Sequence, residues 1–190
     1  MCGRYGADDK VNDWLTKHCE IPSGDILRAG DVRPGERTTV IVKGNAKPRG
    51  VSMTWGIQGK DSLIINARKE TIWDKPTFRY LIQNRRCLLA ASCFYEWDSS
   101  KHKATLYGEN DETLFLAGVY QQEAEGGRFV IITAPADETV RPIHDRMPVR
   151  IPASLIDDWL SDTEKAREIL DTATVPLRRE QAVEQMSLWE

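Results

Sequence analysis

Short apolar segments separated by turn residues recur along most of the chain, and this pattern constrains the fold more than any other feature. Helical periodicity is confined to 10–20, to 77–83 and to a tail over 152–190. Strands that do not alternate with long helices argue against a doubly wound parallel sheet. They predict an α+β fold, in which a curved or barrel-like, mostly antiparallel sheet dominates a β-rich domain with peripheral helices. The predicted strands are 39–43, 51–55, 63–66, 87–91, 94–97, 104–107, 114–120 and 129–134.

The length of 190 residues fits one domain, which we place at 1–190. Residues 22–37 contain three glycines and two prolines, and they predict a long ordered loop. No apolar run approaches the ~20 residues of a membrane span. The amino terminus lacks the basic and apolar regions of a secretory signal, so we expect a cytoplasmic protein.

Cysteine spacing gives no sign of a disulfide framework or a metal centre. In a reducing cytoplasm the cysteines are expected to be thiols. The sequence has no C-x-x-C pair, and its one adjacent His-Cys pair has the wrong spacing for zinc. We therefore expect neither a metal nor a cofactor. The four cysteines are Cys2, Cys19, Cys87 and Cys93.

The charge of the chain is unevenly distributed. The net charge is −3, but residues 151–190 hold nine acidic and four basic residues, which leaves a net charge of +2 on 1–150. Residues 66–86 contain six basic and two acidic side chains. A local positive surface for nucleic acid is one interpretation, and a solvated face of mixed charge is the other. Charge alone favours the second.

Cys2 would carry unusual chemistry if Met1 were removed, as is common before a small residue. Its α-amine, with a pKa of about 7.7–8.0, would then lie beside a thiol with a pKa of about 8.5. The amine can condense with an aldehyde to an imine, and the thiol can close on the imine carbon to give a thiazolidine. No internal cysteine can do this. The alternative is that Cys2 is simply the second residue of an ordinary amino terminus.

Polar residues that could take part in catalysis or binding follow or interrupt the predicted strands. Asn66 can both donate and accept hydrogen bonds, and Arg68 offers a planar fork for phosphate. Alternatively, Asn66 caps the next turn and Arg68 pairs with Glu70. Glu96 lies among three aromatic residues, where desolvation would raise its pKa and make it a proton carrier near pH 7. Strand alternation could equally turn Glu96 toward solvent.

His144 stands in the run Pro-Ile-His-Asp-Arg-Met-Pro-Val and titrates near neutral pH, so it could act on an imine or a sugar oxygen. Asp145 and Arg146 could orient it or bind phosphate. The alternative is an ordinary histidine in a turn.

Four motifs in one order resemble the SRAP family (SOS response-associated peptidase domain), whose members protect abasic sites in single-stranded DNA. They are Met-Cys-Gly-Arg at 1–4, Asn-Ala-Arg-Lys-Glu-Thr at 66–71, the run 85–97 ending in Phe-Tyr-Glu-Trp, and His-Asp-Arg-Met-Pro-Val at 144–149. Weaker matches include Arg-Pro-Gly at 33–35 and Thr-Ala at 133–134. The resemblance covers roughly 1–160 and implies a β-rich α+β fold with a positive groove.

The resemblance also implies roles for individual residues. Cys2 would be the nucleophile that forms a thiazolidine with the opened deoxyribose, and Asn66 would position its α-amine or the sugar oxygen. Glu96 would be the acid and base for ring opening and closure. His144 would stabilise the sugar or imine, and could assist strand cleavage or reversal. The implied DNA contacts are Arg4, Pro34, Arg68, Thr133 and Arg146.

The resemblance further implies a peptidase activity that removes the protein's own Met1, and an abasic-site lyase activity. We expect a monomer that binds single-stranded DNA and is associated with the nucleoid when bound. The loop 56–60 departs from the family because it has no aromatic residue, so that a base-unstacking wedge is absent or supplied by Trp73. Two further hypotheses stay open: a cysteine hydrolase acting on other proteins, and a non-catalytic module for single strands.

Overall fold

The structure, a computed structural model, describes residues 2–22, 29–123 and 126–181. Within these residues the α-helices are α1 (Asp9–His18), α2 (Pro76–Asn84), α3 (Ile156–Ser161) and α4 (Thr163–Thr172). The strands are β1 (Tyr5–Ala7), β2 (Gly30–Val32), β3 (Arg37–Val42), β4 (Arg49–Trp55), β5 (Ile57–Gln58), β6 (Leu63–Ile64), β7 (Asn66–Arg68), β8 (Arg86–Ala91), β9 (Cys93–Trp97), β10 (Lys103–Gly108), β11 (Leu114–Glu123), β12 (Gly126–Pro135), β13 (Arg146–Pro148) and β14 (Leu177–Gln181).

Five strands close into a barrel in the order β11, β8, β3, β4 and β12, because β12 also pairs with β11. Four of these five pairings are antiparallel, and the pairing of β4 with β12 is parallel. Strands β7 and β13 extend the barrel from β12. Gly118 lies where the strands approach closely, since a Cβ there would be 2.9 Å from the Val130 carbonyl oxygen. The predicted β-rich, barrel-like α+β fold is confirmed.

A second sheet has the order β14, β10, β9, β1 and β2, and all of its pairings are antiparallel. Its residues Tyr5, Phe94 and Leu106 share one buried core with barrel residues that include Trp55 and Phe129. The barrel residues whose side chains point to the other face of each strand contribute to another core, which the helices cover. The second sheet thereby holds the amino terminus of the chain against the barrel.

Aspartate side chains cap the start of two helices, and a buried arginine links two helices. The Asp8 carboxylate accepts a hydrogen bond from the Val11 backbone N–H at the start of α1, and Asp162 caps α4 in the same way. Arg86 is buried at the end of α2, where its guanidinium donates to the carbonyl oxygens of Ile82 and Trp159. This side chain therefore ties α2 to α3.

The structure departs from the sequence-based prediction in the loop and in the tail. The predicted loop 22–37 contains β2, and residues 23–28 lie outside the described part of the chain. The helical prediction for 152–190 holds through Thr172 but is wrong for Leu177–Gln181, which form β14. That segment pairs with the edge of β10, so its backbone bonds are satisfied by a distant strand. Residues 182–190 lie outside the described residues.

Among the described helices, none combines the length and apolar character needed to cross a membrane. Over the same residues, no group of three or more His, Cys, Asp or Glu side chains is arranged to hold a metal ion.

Candidate active site

The predicted catalytic residues come from separate parts of the fold. Cys2 lies three positions before the start of β1, and Glu96 lies in the neighbouring strand β9. In the β1–β9 ladder Tyr5 pairs with Phe94, and the Tyr95 backbone N–H donates to the Arg4 carbonyl oxygen at 3.0 Å. Continuing this antiparallel register places Glu96 opposite Gly3, next to Cys2.

Glu96 faces the protein interior. It is 2% exposed, as is expected of a side chain on the same strand face as buried Phe94, whereas Tyr95 and Trp97 are half-buried. The interpretation that alternation turns Glu96 toward solvent is therefore wrong. Cys2 is fully buried in the core that contains Phe94.

Burial changes the acid–base properties of both groups. Desolvation raises the pKa of the Glu96 carboxyl to about 7; the positive charge of the amino terminus opposes this rise, and the Asp145 charge contributes to it. Desolvation also raises the pKa of the Cys2 thiol, an effect that the Glu96 charge reinforces and that a hydrogen bond with the Arg4 backbone opposes. Because these charges act on one another, Cys2, Glu96 and the turn carrying Asp145 share one electrostatic environment.

A compact turn carries His144, the neighbour of Asp145 in the chain. The Asp137 carboxylate accepts from the Val140 backbone N–H at 3.1 Å, and the Val140 carbonyl oxygen accepts from the His144 N–H at 3.0 Å. Val140 is fully buried in the same core as Cys2. The turn is therefore fixed at its base, with His144 at its end.

Hydrogen bonding defines the form of the His144 ring. The Arg146 backbone N–H donates to Nδ1 at 2.9 Å, so Nδ1 accepts and the neutral ring carries its proton on Nε2. The Asp145 carboxylate also lies 3.0 Å from Nδ1, but that contact becomes an ion pair only when the ring is protonated. The Asp145 side chain is 86% exposed, whereas the Arg146 backbone N–H is held by the chain next to the ring.

The Asn66 amide is buried without a protein partner. Its backbone is fixed in β7 opposite Ile131 of β12, and the preceding Ile65 carbonyl oxygen accepts from the Trp55 indole. Both amide atoms, Nδ2 and Oδ1, are buried and make no hydrogen bond with the described residues. A buried amide without hydrogen bonds lowers the stability of the folded state by roughly 1–3 kcal/mol. A buried amide held in this way is suited to a ligand that supplies the missing hydrogen bonds.

A cleft of about 320 Å³ opens beside Asn66 and is rich in cations. Arg68 lies on the same face of β7 as Asn66, since the two residues are separated by one position. Lys75, which the sequence analysis did not single out as a contact, lies just before α2 and also lines the cleft. Its only sequence signal was membership of the basic run 66–86.

Arg146 lines the same cleft but is already engaged. It forms a bidentate pair with Glu70 and donates to the backbone and side-chain oxygens of Thr133. This pair lowers the pKa of the Glu70 carboxyl. Glu70 therefore pairs with Arg146, and not with Arg68 as one sequence interpretation suggested. Thr133 is 1% exposed, so it lies behind Arg146 in the cleft wall.

Arg4 and Pro34 do not line this cleft. The Arg4 guanidinium lies 5.0 Å from the centre of the Trp97 ring and 3.6 Å from the Asp31 carboxylate. Pro34 is half-buried in a turn in which the Glu36 N–H donates to the Arg33 carbonyl oxygen, and which needs the positive φ of 88° at Gly35. Arg4 follows Cys2 by two positions, whereas Pro34 lies in the loop between β2 and β3.

The structure does not provide Trp73 as an insertable wedge. Trp73 packs against the helix-covered core, and the Arg167 guanidinium lies 4.0 Å from the centre of its ring. The loop 56–60 belongs to a small hairpin made of β5 and β6. Trp73 would have to leave its packing contacts in order to enter a base stack, so the wedge interpretation of Trp73 is not supported.

Comparison with known proteins identifies relatives along nearly the whole chain. The sequence profile that matches residues 1–188 is described as SOS response associated peptidase (SRAP). Abasic site processing protein YoaM of Bacillus subtilis is 31% identical, over 93% of this chain and 86% of the relative. Abasic site processing protein YedK of Escherichia coli is 25% identical, over 93% of this chain and 88% of the relative.

Solved structures match the fold. A phage-related protein of Bordetella bronchiseptica aligns with a TM-score of 0.76 at 25% identity, over 97% of this chain and 95% of the other. A second protein of the same organism aligns with a TM-score of 0.77 at 21% identity, over 96% of this chain and 100% of the other. This second match supports the fold alone.

Proposed function

The chain belongs to the SRAP (SOS response associated peptidase) family, and from this we propose that it processes abasic sites in single-stranded DNA through a covalent bond to Cys2. The relatives named as abasic site processing proteins support the substrate. The observation that carries the mechanism is the burial of Cys2 beside Glu96, a carboxyl whose pKa is about 7.

The proposed reaction joins the protein to the open-chain sugar of the abasic site. Once Met1 is gone, the α-amine of Cys2 adds to the C1′ aldehyde and gives a carbinolamine. Loss of one water forms the imine, and the Cys2 thiol then adds across the C=N bond, its proton passing to nitrogen. The product is a thiazolidine, and the overall change is the addition of the protein with the loss of one water.

Glu96 is the proposed proton carrier of this sequence. With a pKa of about 7, both of its forms are present at neutral pH. The acid form can protonate the sugar oxygen as the ring opens and the hydroxyl that leaves the carbinolamine, and the carboxylate can accept the thiol proton. The same exchange in reverse would release the adduct.

Asn66 and His144 are the proposed polar partners of the sugar. The buried Asn66 amide has both a donor and an acceptor available for the α-amine and a sugar hydroxyl. The His144 Nε2 proton can donate to a sugar oxygen or to the oxygen that leaves C1′. Removal of a C2′ proton from the imine would expel the phosphate on C3′ as the leaving group and cleave the strand, which is the proposed lyase activity.

The cationic cleft is the proposed path of the DNA backbone. Arg68 and Lys75 would bind phosphates directly, and Arg146 would do so while Glu70 and Thr133 hold its side chain. Arg4 and Pro34 would guide the strand at the amino-terminal side. Backbone contacts carry little sequence information, so we expect only slight dependence on flanking bases. All of these residues belong to one chain, which is compatible with action as a monomer.

The peptidase activity in the family name corresponds, in our proposal, to hydrolysis of the Met1–Cys2 bond. That step consumes one water and frees the α-amine on which the adduct depends. Intact mass before reaction tests whether Met1 is absent.

The decisive experiment mixes the protein with a uracil-excised single-stranded oligonucleotide. We expect a heat-resistant complex whose mass is the sum of protein without Met1 and DNA, less one water. Cys2→Ala should abolish it, whereas the matched variant Cys19→Ala, altered in the helix-covered core, should retain it. A full yield from Cys2→Ala would refute the nucleophile. Cys2-dependent turnover of peptides would favour a hydrolase, and fully reversible binding would favour a non-catalytic module.

A further inference from the structure

Tyr80 is the one large hydrophobic side chain that is exposed in the described part of the chain, at 59%. It lies on the solvent face of α2, whose buried residues are Phe78, Leu81 and Ile82. Single exposed aromatics are common on protein surfaces. Tyr80 is distinguished by its surroundings, because it lines a cleft that adjoins the proposed active site.

That cleft has a volume of about 320 Å³ and shares Thr77 with the cationic cleft beside Asn66. Thr77 and Tyr80 are three positions apart on α2, which is a rise of about 4.5 Å along the helix. A strand leaving Arg68 and Lys75 along α2 therefore reaches Tyr80 next. The remaining lining residues are Leu81, Arg85, Gln121 and Gln122.

A cation is held at the far side of Tyr80. The Arg85 guanidinium lies 5.7 Å from the centre of the Tyr120 ring and donates to the Tyr120 hydroxyl at 3.5 Å. It also interacts with the Tyr80 hydroxyl. Residues 75–86 contain no acidic side chain, and Lys75, Arg79 and Arg85 reach solvent whereas Arg86 is buried, so this surface attracts phosphate.

We propose that Tyr80 and Arg85 form a subsite for an unpaired nucleotide flanking the abasic site, with the base stacked on the Tyr80 ring and its phosphate near Arg85. The subsite rests on the proposed function, since it assumes that the abasic sugar lies near Asn66. An aromatic face beside a cation is the arrangement by which proteins bind single strands without sequence preference. The amides of Gln121 and Gln122 offer hydrogen bonds to any base edge.

Affinity for a non-reactive abasic analogue, a tetrahydrofuran site in a single-stranded oligonucleotide, tests the subsite. In a series of strands, one flanking base at a time is replaced by a second spacer without a base. Tyr80→Ala should weaken binding to the full strand about 5- to 150-fold, the range of one base–aromatic stack. Tyr80→Phe and Tyr80→Trp should keep the affinity. The matched control Tyr107→Ala alters a tyrosine that Arg178 covers on the second sheet, and should change nothing.

At one flanking position, the loss of affinity caused by removing the base and the loss caused by Tyr80→Ala should not be additive. Removing that base should weaken the wild-type complex by the same factor as Tyr80→Ala, and should have no effect on the variant. Unchanged affinity of Tyr80→Ala, or an equal loss in every strand of the series, would overturn the proposal. The covalent adduct is measured separately, so its absence would refute the proposed function while a base-dependent effect of Tyr80 would still support the subsite.

Discussion

Replacing Glu96 with glutamine tests the buried carboxyl through its effect on stability. Glutamine keeps the size and the polar character of the side chain but cannot ionise. Wild-type Glu96 has a pKa of about 7 in the folded protein, compared with an ordinary value of 4.5. Between these values the folded state binds more protons than the unfolded state, so the free energy of unfolding falls as the pH rises.

The size of the effect follows from the same two values. Each tenfold change in proton affinity is worth about 1.4 kcal/mol, so a rise from 4.5 to about 7 corresponds to about 3 kcal/mol. Because the folded protein disfavours the ionised carboxylate, Glu96 lowers the free energy of unfolding by about 3 kcal/mol above pH 7, compared with its value below pH 4.5. Glu96→Gln removes this dependence.

Urea denaturation of both proteins at a series of pH values between 4 and 8.5 measures the difference. We expect the stability of Glu96→Gln relative to wild type to increase by about 3 kcal/mol across this range, with most of the change between pH 4.5 and 7. The same substitution should slow adduct formation more than it weakens binding to undamaged strands. If the unfolding free energies of wild type and Glu96→Gln changed with pH in parallel, the raised pKa of Glu96 would be refuted. Equal losses in the rate of adduct formation and in binding would make Glu96 a structural residue.

Three further substitutions probe the rest of the site. Asn66→Leu should leave stability unchanged or raise it by about 1 kcal/mol, because the unpartnered amide is removed, yet slow adduct formation at least tenfold; a loss of stability in urea would contradict this. Arg150→Met removes a buried guanidinium that pairs with the half-buried Asp137 and donates to the Val175 carbonyl oxygen, so it should cost about 2 kcal/mol of unfolding free energy. Adduct formation should be slower because the pair supports the His144 turn, and calorimetry and the adduct assay measure the two effects. Arg68→Ala should weaken single-strand binding and reduce the slope of log K against log salt by about 0.7, and an unchanged slope would remove Arg68 from the phosphate path.

The local sequence pattern predicted those helices and strands in which buried residues recur at the spacing of a helix or a strand. Strands such as 87–91 and 129–134, and helices α1 and α2, have enough residues to show that period. Strands β1 and β13 have only three residues each, and their pairing is decided by β9 and β12. The strand β14 follows two helices and was taken for part of a helical tail because its partner, β10, lies about 70 positions earlier.

The candidate site shows the same division. The chemistry of Cys2, Asn66, Glu96 and His144 was inferred from residue types and motif order, and the burial of Glu96 was one of two open alternatives. The pairing of Glu70 with Arg146 could not be predicted, because it joins residues that are 76 positions apart. The position of Tyr80 on the cleft likewise depends on how α2 packs on the barrel.

The burial of Cys2 bears on the choice between an aldehyde and a peptide as its target. A thiol whose pKa is raised by desolvation is a poor nucleophile at neutral pH unless a neighbouring base accepts its proton. In the thiazolidine route the amine attacks first, so the thiol acts within a ring closure whose partner is already covalently attached, with Glu96 beside it. A hydrolase acting on other proteins would need the thiolate to attack an incoming amide, and a peptide is bulkier than an extruded sugar. The geometry of Cys2 therefore favours a small aldehyde delivered on a flexible strand.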